Sequence, residues 1–257
     1  MIINSLMKLM SLNNISKSFN GKEILKNIDL NIKQENFISI FGPNATGKTT
    51  LLNIISGLLQ ADNGAVVWEN EFYKNRVSYV FQNYRETLFP WKRVWENISL
   101  PLKLQNVKSA ECKDRATDLL GKFAINIDLE KYPYQLSGGQ QQLVAILRAI
   151  ITDPVLLLLD EPFSALDFAK KFELQQKILE IWHEIKATII FVSHDLDEAI
   201  YLADEVVLLG GTPTGIISNV KVEIDRPRTP GDLLSKEFVS YKRLMLDNFL
   251  STQNIML

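Results

Sequence analysis

Three stretches of this 257-residue chain carry residue types suited to phosphate chemistry. The first is Gly42-Pro43-Asn44-Ala45-Thr46-Gly47-Lys48-Thr49, with Thr50 following. Gly42 and Gly47 allow a tight bend that turns successive backbone N–H groups onto phosphate oxygens. Lys48 can reach the β- and γ-phosphates of a nucleoside triphosphate, and the Thr49 hydroxyl can hold Mg²⁺. The second is Asp160-Glu161, directly after the apolar run Val155-Leu156-Leu157-Leu158-Leu159. Asp160 is placed to hold Mg²⁺, directly or through water, and Glu161 to polarise an attacking water. The third is His194, after the apolar run Thr188 to Val192. A lone histidine is more often structural than catalytic, but its place at a strand's carboxyl end raises this one above that expectation. His183, within a helical pattern, keeps the structural reading. Gln82 directly follows another strand pattern. It could ligate Mg²⁺ or orient a water, although a lone glutamine is usually just surface.

These residues need elements to position them. Phe37-Ile38-Ser39-Ile40-Phe41 reads as a buried strand and Thr49 to Ile55 as the start of a helix. Strand, glycine loop and helix are the context the phosphate motif requires, and the helix dipole adds to its pull on an anion. Val155 to Leu159, unbroken by polar residues, predicts a central parallel strand covered on both faces. Ligands of open α/β sheets bind at the carboxyl ends of strands, so both carboxylates are expected there. Thr188–Val192 and Val206–Leu209 predict further core strands, and Phe168–Ile185 a helix with Leu174, Ile178, Ile181 and Ile185 on one face.

In Leu136-Ser137-Gly138-Gly139-Gln140, Ser137 and Gln140 form a capping box that opens a helix bearing Leu143, Val144, Ile146, Leu147, Ile150 and Ile151. Asp153-Pro154 stops that helix. Capping does not account for the two adjacent glycines, which weaken a helix start. They make sense if a second anion must approach the backbone N–H groups closely.

Near the beginning, Leu12 to Ile32 alternates around Asn20-Gly21, a hairpin signal. Phe19 beside it could pack in the hairpin or stack on a nucleotide base. Gly57 is expected to cap the first helix. Asp62-Asn63-Gly64 predicts a turn, Ala65–Trp68 and Arg76–Phe81 strands. From Asn83 to about Tyr134 the pattern is helical: a turn at Phe89-Pro90-Trp91, an amphipathic helix over Val94–Leu100, and a helix capped by Ser109 that runs to Phe123. Exposed aromatics there could form a docking surface, while burial is the commoner fate of any single one. The tail from about Asn219 carries Asp225-Arg226-Pro227-Arg228 and one helix, Lys236 to Leu246.

Bulk properties narrow the classes. Hydrophobic residues make up 46% and charged residues 23%, ordinary values for a globular protein. A net charge of −2 supplies no bulk field that would draw the chain to nucleic acid or anionic lipid. The single cysteine, Cys112, excludes an internal disulfide and a cysteine metal cluster, and is expected to pack inside a helix. Met1 to Met10 lacks the features of a secretion signal, and no stretch reaches the roughly 18 apolar residues of a membrane span. The expectation is a cytosolic protein that serves a membrane, if at all, from the side.

Taken together, the motifs resemble the nucleotide-binding subunits of ABC transporters along nearly the whole chain. Gly42–Thr49 matches Walker A, Gln82 the Q-loop, and Leu136–Gln140 the signature without a mismatch. Leu156–Asp160 with Glu161 matches Walker B and the catalytic glutamate, Ser164-Ala165-Leu166-Asp167 the D-loop, and His194 the switch histidine. Phe19 falls where the family has its base-stacking aromatic. The resemblance implies an α/β fold, a P-loop NTPase (RecA-like) core with a small antiparallel β subdomain and a helical subdomain. It implies one ATPase domain over 7–257: the β subdomain and Walker A part in 7–82, the helical subdomain in 83–135, the signature, Walker B and histidine part in 136–218, and a tail in 219–257.

The same resemblance implies ATP and Mg²⁺ as ligands, and Asp160, Thr49 and Gln82 as metal-binding groups. It also implies a homodimer in which Ser137, Gly138, Gly139 and Gln140 of one copy close on the γ-phosphate held by the other's Walker A. Glu161 would then activate water, His194 contact the γ-phosphate, and Asp167 join the two sites. The implied partners are integral-membrane permease subunits and, indirectly, an extracytoplasmic solute-binding protein, with the chain peripheral on the cytoplasmic face of the membrane.

Two stretches resemble the nitrate/sulfonate/taurine importers: Phe81-Gln82-Asn83 with Leu88-Phe89-Pro90-Trp91, Val94 and Glu96-Asn97, and the Asp225–Arg228 tail. Three positions depart from the family. Leu143 replaces a usual arginine, Leu147 a small residue, and Lys170-Lys171 a Thr-Arg pair. Other readings of the same motifs are a soluble ABC ATPase acting on ribosomes or DNA, an accessory to lipoprotein release or efflux, and an ATP-binding switch without transport.

Overall fold

The computed structural model describes residues 7–164 and 166–252. Ala165 of the expected D-loop, residues 1–6 and residues 253–257 of the tail lie outside the described residues. In chain order the elements are β1 (Lys8–Phe19), β2 (Lys22–Lys33), β3 (Phe37–Phe41), α1 (Lys48–Ile55), β4 (Asn63–Trp68) and β5 (Val77–Val80). There follow α2 (Tyr84–Thr87), α3 (Val94–Ile98), α4 (Leu100–Leu104), α5 (Ser109–Lys122), α6 (Gly138–Ile150), β6 (Leu156–Asp160) and α7 (Phe168–Ile185). The chain continues through β7 (Thr188–Ser193), α8 (Leu196–Leu202), β8 (Glu205–Gly210), β9 (Gly215–Lys221) and α9 (Lys236–Thr252). Two units emerge, one holding the chain up to Asn75 and from Thr188 onward, the other holding Arg76–Ala187.

In the first unit β1 pairs antiparallel with β2 and with β4. Asn20 and Gly21 both take positive φ (51° and 77°), the conformation that makes Asn-Gly a tight hairpin turn. A second, mixed arrangement pairs β3 in parallel with β7 and β8, and β9 antiparallel to β8. Every residue of β7, and every residue of β8 after Glu205, is buried, as unbroken apolar runs require. Gly64 does not turn the chain as expected. It lies inside β4, and a Cβ there would stand 2.3 Å from the carbonyl oxygens of Asn13 and Asn14, so the glycine admits a close backbone approach.

The second unit carries the parallel pair β5–β6 and the helices α2 to α7. All five residues of β6 are buried, Asp160 included. The single helix expected over Val94–Leu100 is two short ones. Ser99 Oγ donates to the Trp95 carbonyl at 2.7 Å, and Pro101 has no N–H with which to continue α3. Ser109 stands inside α5, whose N-cap is Lys108. Cys112 is fully buried in that helix. Two elements escaped the sequence reading. In α8 the apolar spacing is broken by Asp197-Glu198, and β9 is a half-buried strand without strict alternation. The tail helix α9 also runs past Leu246, to Thr252.

Candidate functional site

The first unit positions the phosphate loop and His194 at one level. In the parallel ladder Phe41 pairs with Ser193, so Gly42 and His194 leave the carboxyl ends of neighbouring strands together. The loop's shape demands its glycines. A Cβ on Gly42 would come within 2.7 Å of the Leu209 carbonyl oxygen, and one on Gly47, at φ 80°, within 2.9 Å of Ile24 and Leu25. Ala45 also takes the left-handed conformation, at φ 65°. Lys48 is buried at 5% exposure, and its Nζ donates to the carbonyls of Gly42 and Pro43, each at 2.8 Å. Thr46 Oγ1 donates to the Pro43 carbonyl.

Pro43, Asn44, Ala45 and Thr49 are exposed, Thr46 and Thr50 partly so, and the first turn of α1 contains no acidic residue. A cluster of exposed N–H donors and hydroxyls with a buried ammonium, and no competing carboxylate in that turn, fits a phosphate group and its Mg²⁺. Phe19 ends β1 at 45% exposure, with the Lys17 ammonium 5.6 Å from its ring centroid.

The second unit gathers Gln82, the Ser137–Gln140 segment, Asp160, Glu161 and Asp167. In the β5–β6 ladder Val80 pairs with Leu159, which puts Gln82 and Glu161 each two residues beyond the last pair. Gln82 Nε2 donates to Glu161 Oε2 at 3.1 Å. Glu161 takes φ 45°, a left-handed conformation that costs a side-chain-bearing residue on the order of 1–2 kcal/mol. Such strain persists only where the surroundings hold it, and it concentrates at functional sites. The Glu161 carbonyl accepts from Ser164 N and Oγ, which closes the turn beneath it.

Asp160 is 2% exposed, and Tyr79 Oη donates to its Oδ2 at 3.3 Å. Burial first, and the neighbouring Asp160 carboxylate second, push the Tyr79 phenol far above its ordinary range, so it remains a donor at any physiological pH. Tyr79 was missed in the sequence. Its only signal was a hydroxyl-bearing aromatic in a strand that otherwise reads as core.

The capping box at the start of α6 is realised in both directions. Gln140 N donates to Ser137 Oγ at 3.3 Å, and Ser137 N to Gln140 Oε1 at 3.1 Å. Ser137 is exposed. A Cβ on Gly138 would meet the end of the Arg85 guanidinium at 2.9 Å, whereas one on Gly139 would meet nothing closer than 3.8 Å. Packing against this chain therefore does not account for the second glycine. Further along α6, Arg148 donates to Thr87 Oγ1 at 2.8 Å and to the Thr87 carbonyl, tying the helix to the segment after Gln82.

Asp167 is the N-cap of α7, accepting from Lys170 N at 3.1 Å, and it pairs with Lys170 Nζ at 2.8 Å. The Lys170 hydrogen bond holds the Asp167 carboxyl below its usual range. Leu143 and Lys170, two of the positions that depart from the family pattern, line a cavity of about 520 Å³ with Ile125, Ile127 and Ser137.

Comparison with known proteins agrees with this chemistry. The family model described as ABC transporter matches residues 25–164. An uncharacterized ABC transporter ATP-binding protein of Methanocaldococcus jannaschii (MJ0412) is 40% identical over 238 residues, covering 89% of this chain and 86% of that protein. The spermidine/putrescine import ATP-binding protein PotA of Salmonella typhimurium is 39% identical over 230 residues, 84% of this chain and 60% of PotA. The chain thus spans less than two-thirds of PotA's length.

Among solved structures, the dimeric post-hydrolysis state of the ATP-binding cassette MJ0796 bound to ADP and Pi is 29% identical with a TM-score of 0.72, covering 84% of this chain and all of that one. The structure of cbiO1 of Clostridium perfringens, part of the ABC transporter complex cbiONQ, at 24% identity and a TM-score of 0.78 over 97% of this chain, bears on the fold alone, that of a P-loop NTPase cassette. With its phosphate loop, signature and paired carboxylates, this chain belongs to the ABC transporter family as an ATP-binding subunit, an ATPase that works on ATP with Mg²⁺.

Proposed function

We propose that the chain is the ATPase subunit of an importer, working as a homodimer on the cytoplasmic face of a membrane beneath separate permease subunits. The observation that supports this best is the hydrogen bond from Gln82 to Glu161. Gln82 opens the segment that contains Phe89, Pro90 and Trp91, and Trp91 is 70% exposed. A permease helix gripping that segment would act on the hydrogen-bond partner of the carboxylate proposed to activate water.

The remaining roles are assigned residue by residue. Phe19 stacks on the adenine. Gly42, Asn44, Ala45, Thr46 and Gly47 wrap the phosphates with backbone N–H groups, Pro43 shapes the bend without donating, and Lys48 neutralises their charge. Thr49, Gln82 and Asp160 hold Mg²⁺, which when bound offsets charge on the phosphate oxygens. Thr50 extends the donor set, and Glu161 accepts a proton from water. His194 contacts the γ-phosphate as it leaves. Ser137, Gly138, Gly139 and Gln140 present the α6 start to the triphosphate of the second copy, and Asp167 links the two copies.

We assign the subdomains as 7–82, 83–135, 136–218 and 219–257, following the family. The likeness to PotA, named as an import subunit, favours import over efflux. The Phe89-Pro90-Trp91 and Asp225–Arg228 stretches favour a small solute of the nitrate, sulfonate or taurine kind, delivered by an extracytoplasmic binding protein. Among the described residues no helix is long and apolar enough to cross a membrane.

The test is ATP turnover by the chain reconstituted in vesicles with candidate permease subunits. Turnover is expected to rise when the loaded solute-binding protein is added. Turnover indifferent to permease and solute would instead support the soluble-ATPase reading.

A further inference from the structure

The tail motif Asp225-Arg226-Pro227-Arg228 is absorbed by none of the roles above, yet it contains the most deeply buried cation among the described residues. Arg228 is 2% exposed. It donates through Nη1 to the carbonyls of Ile200 at 2.7 Å, Ala203 at 2.6 Å and Tyr201 at 3.2 Å, and through Nη2 to those of Val222 and Ile224. Three of these carbonyls close the C-terminal end of α8, where a helix leaves carbonyls without intrahelical partners and where positive charge is favourable. The grip is mutual, since Tyr201 Oη donates to the Arg228 carbonyl at 3.0 Å. Arg226 adds an ion pair to Asp204 at 2.8 Å and a hydrogen bond to the Leu202 carbonyl, and Lys242 of α9 pairs with Asp197 of α8. Burial, reinforced by the neighbouring Arg226 charge, brings the Arg228 guanidinium down to about 10, so it stays charged at neutral pH.

The other end of α8 is held just as firmly. Asp195, its N-cap, accepts from the amides of Asp197 and Glu198, and Ser193 Oγ donates to Glu198 Oε2 at 2.6 Å. His194 lies between those two anchors. His194 thus joins two anchored elements: β7, fixed in register against β3, and α8, fixed at its far end by the tail.

We propose that Arg228 is a positioning residue for His194, acting through α8, so that the Asp225–Arg228 tail is part of the hydrolytic machinery. This rests on the role given above to His194. Relaxing the C-terminal end of a helix of seven residues lets the helix tilt about its N-cap and carries the adjoining imidazole with it. Displacements on the order of 1 Å at a reacting group can cost about 10²-fold in rate.

The chain's two histidines make the test direct. His183, in the other unit, is an internal control, and a His183→Gln variant assigns the two imidazole Cε1–Hε1 signals in a carbon-13 spectrum. Arg228→Met in the full chain is expected to move or broaden the His194 signal and leave that of His183 in place. Turnover at saturating ATP should fall about tenfold with KM for ATP within about twofold. In a His194→Ala background the Arg228 change should slow turnover no further.

A folded Arg228→Met protein with an unmoved His194 signal, or with full turnover, would overturn the proposal. Should that variant fail to fold, Arg226→Met, which removes the bonds to Leu202 and Asp204 and the guanidinium over the Phe37 ring, must shift the His194 signal, and an unmoved signal there overturns it equally. Full turnover by His194→Ala alone would instead remove the role of the histidine, while the spectral shift would still decide whether the tail positions it.

Discussion

Glu161→Gln is expected to lower steady-state ATP turnover by at least about 10²-fold, the usual contribution of a general base, while nucleotide binding persists. The substitution keeps the length and shape of the side chain and removes only its ability to take a proton. The site tolerates it sterically, because Glu161 is partly exposed and its hydrogen bond to Gln82 can be remade through the remaining carbonyl oxygen. The backbone strain at φ 45° is unchanged, so stability should hardly move. Phosphate release at saturating ATP is the measurement. A wild-type rate would show that water is activated elsewhere.

Lys48→Ala acts on binding instead. Its ammonium is buried and already directed by two loop carbonyls, so little ordering remains to be done when a phosphate arrives. Hydrogen bonds to charged groups contribute about 1.5–3 kcal/mol each, which corresponds to a loss of about 10- to 100-fold in ATP affinity. Titration calorimetry of the wild-type and variant chains decides the matter, and equal affinities would contradict the role. The variant also leaves the Gly42 and Pro43 carbonyls without that donor, so a melting curve should accompany the titration.

Much of this arrangement was legible beforehand, for physical reasons that differ from element to element. Asn20-Gly21 announced its hairpin because few other pairs take positive φ twice in succession. The leucine run before Asp160 announced a strand buried on both faces. The phosphate loop was recognisable because Gly42 and Gly47 occupy positions where a methyl group would collide.

What escaped depended on contacts remote in sequence. Tyr79 reads as one more core residue until β5 is laid beside β6 and its hydroxyl meets Asp160. Gly64 has the neighbours of a turn residue, but its purpose is set by two carbonyls some fifty positions earlier. Asp167 was expected to join two copies, and the fold shows it capping α7. In the sequence Arg228 is simply one residue of the Asp225–Arg228 stretch, and only the fold reveals that it holds a helix end.

One chain is expected to supply only part of each hydrolytic site, with Ser137 and the start of α6 completing the site of a second copy. Sedimentation velocity of the Glu161→Gln chain, with and without ATP and Mg²⁺, tests this most directly. A single chain is expected without nucleotide and a twofold assembly with it, and Ser137→Arg should prevent the change while ATP still binds. A Glu161→Gln chain that remains monomeric when saturated with ATP across the accessible concentration range would contradict it.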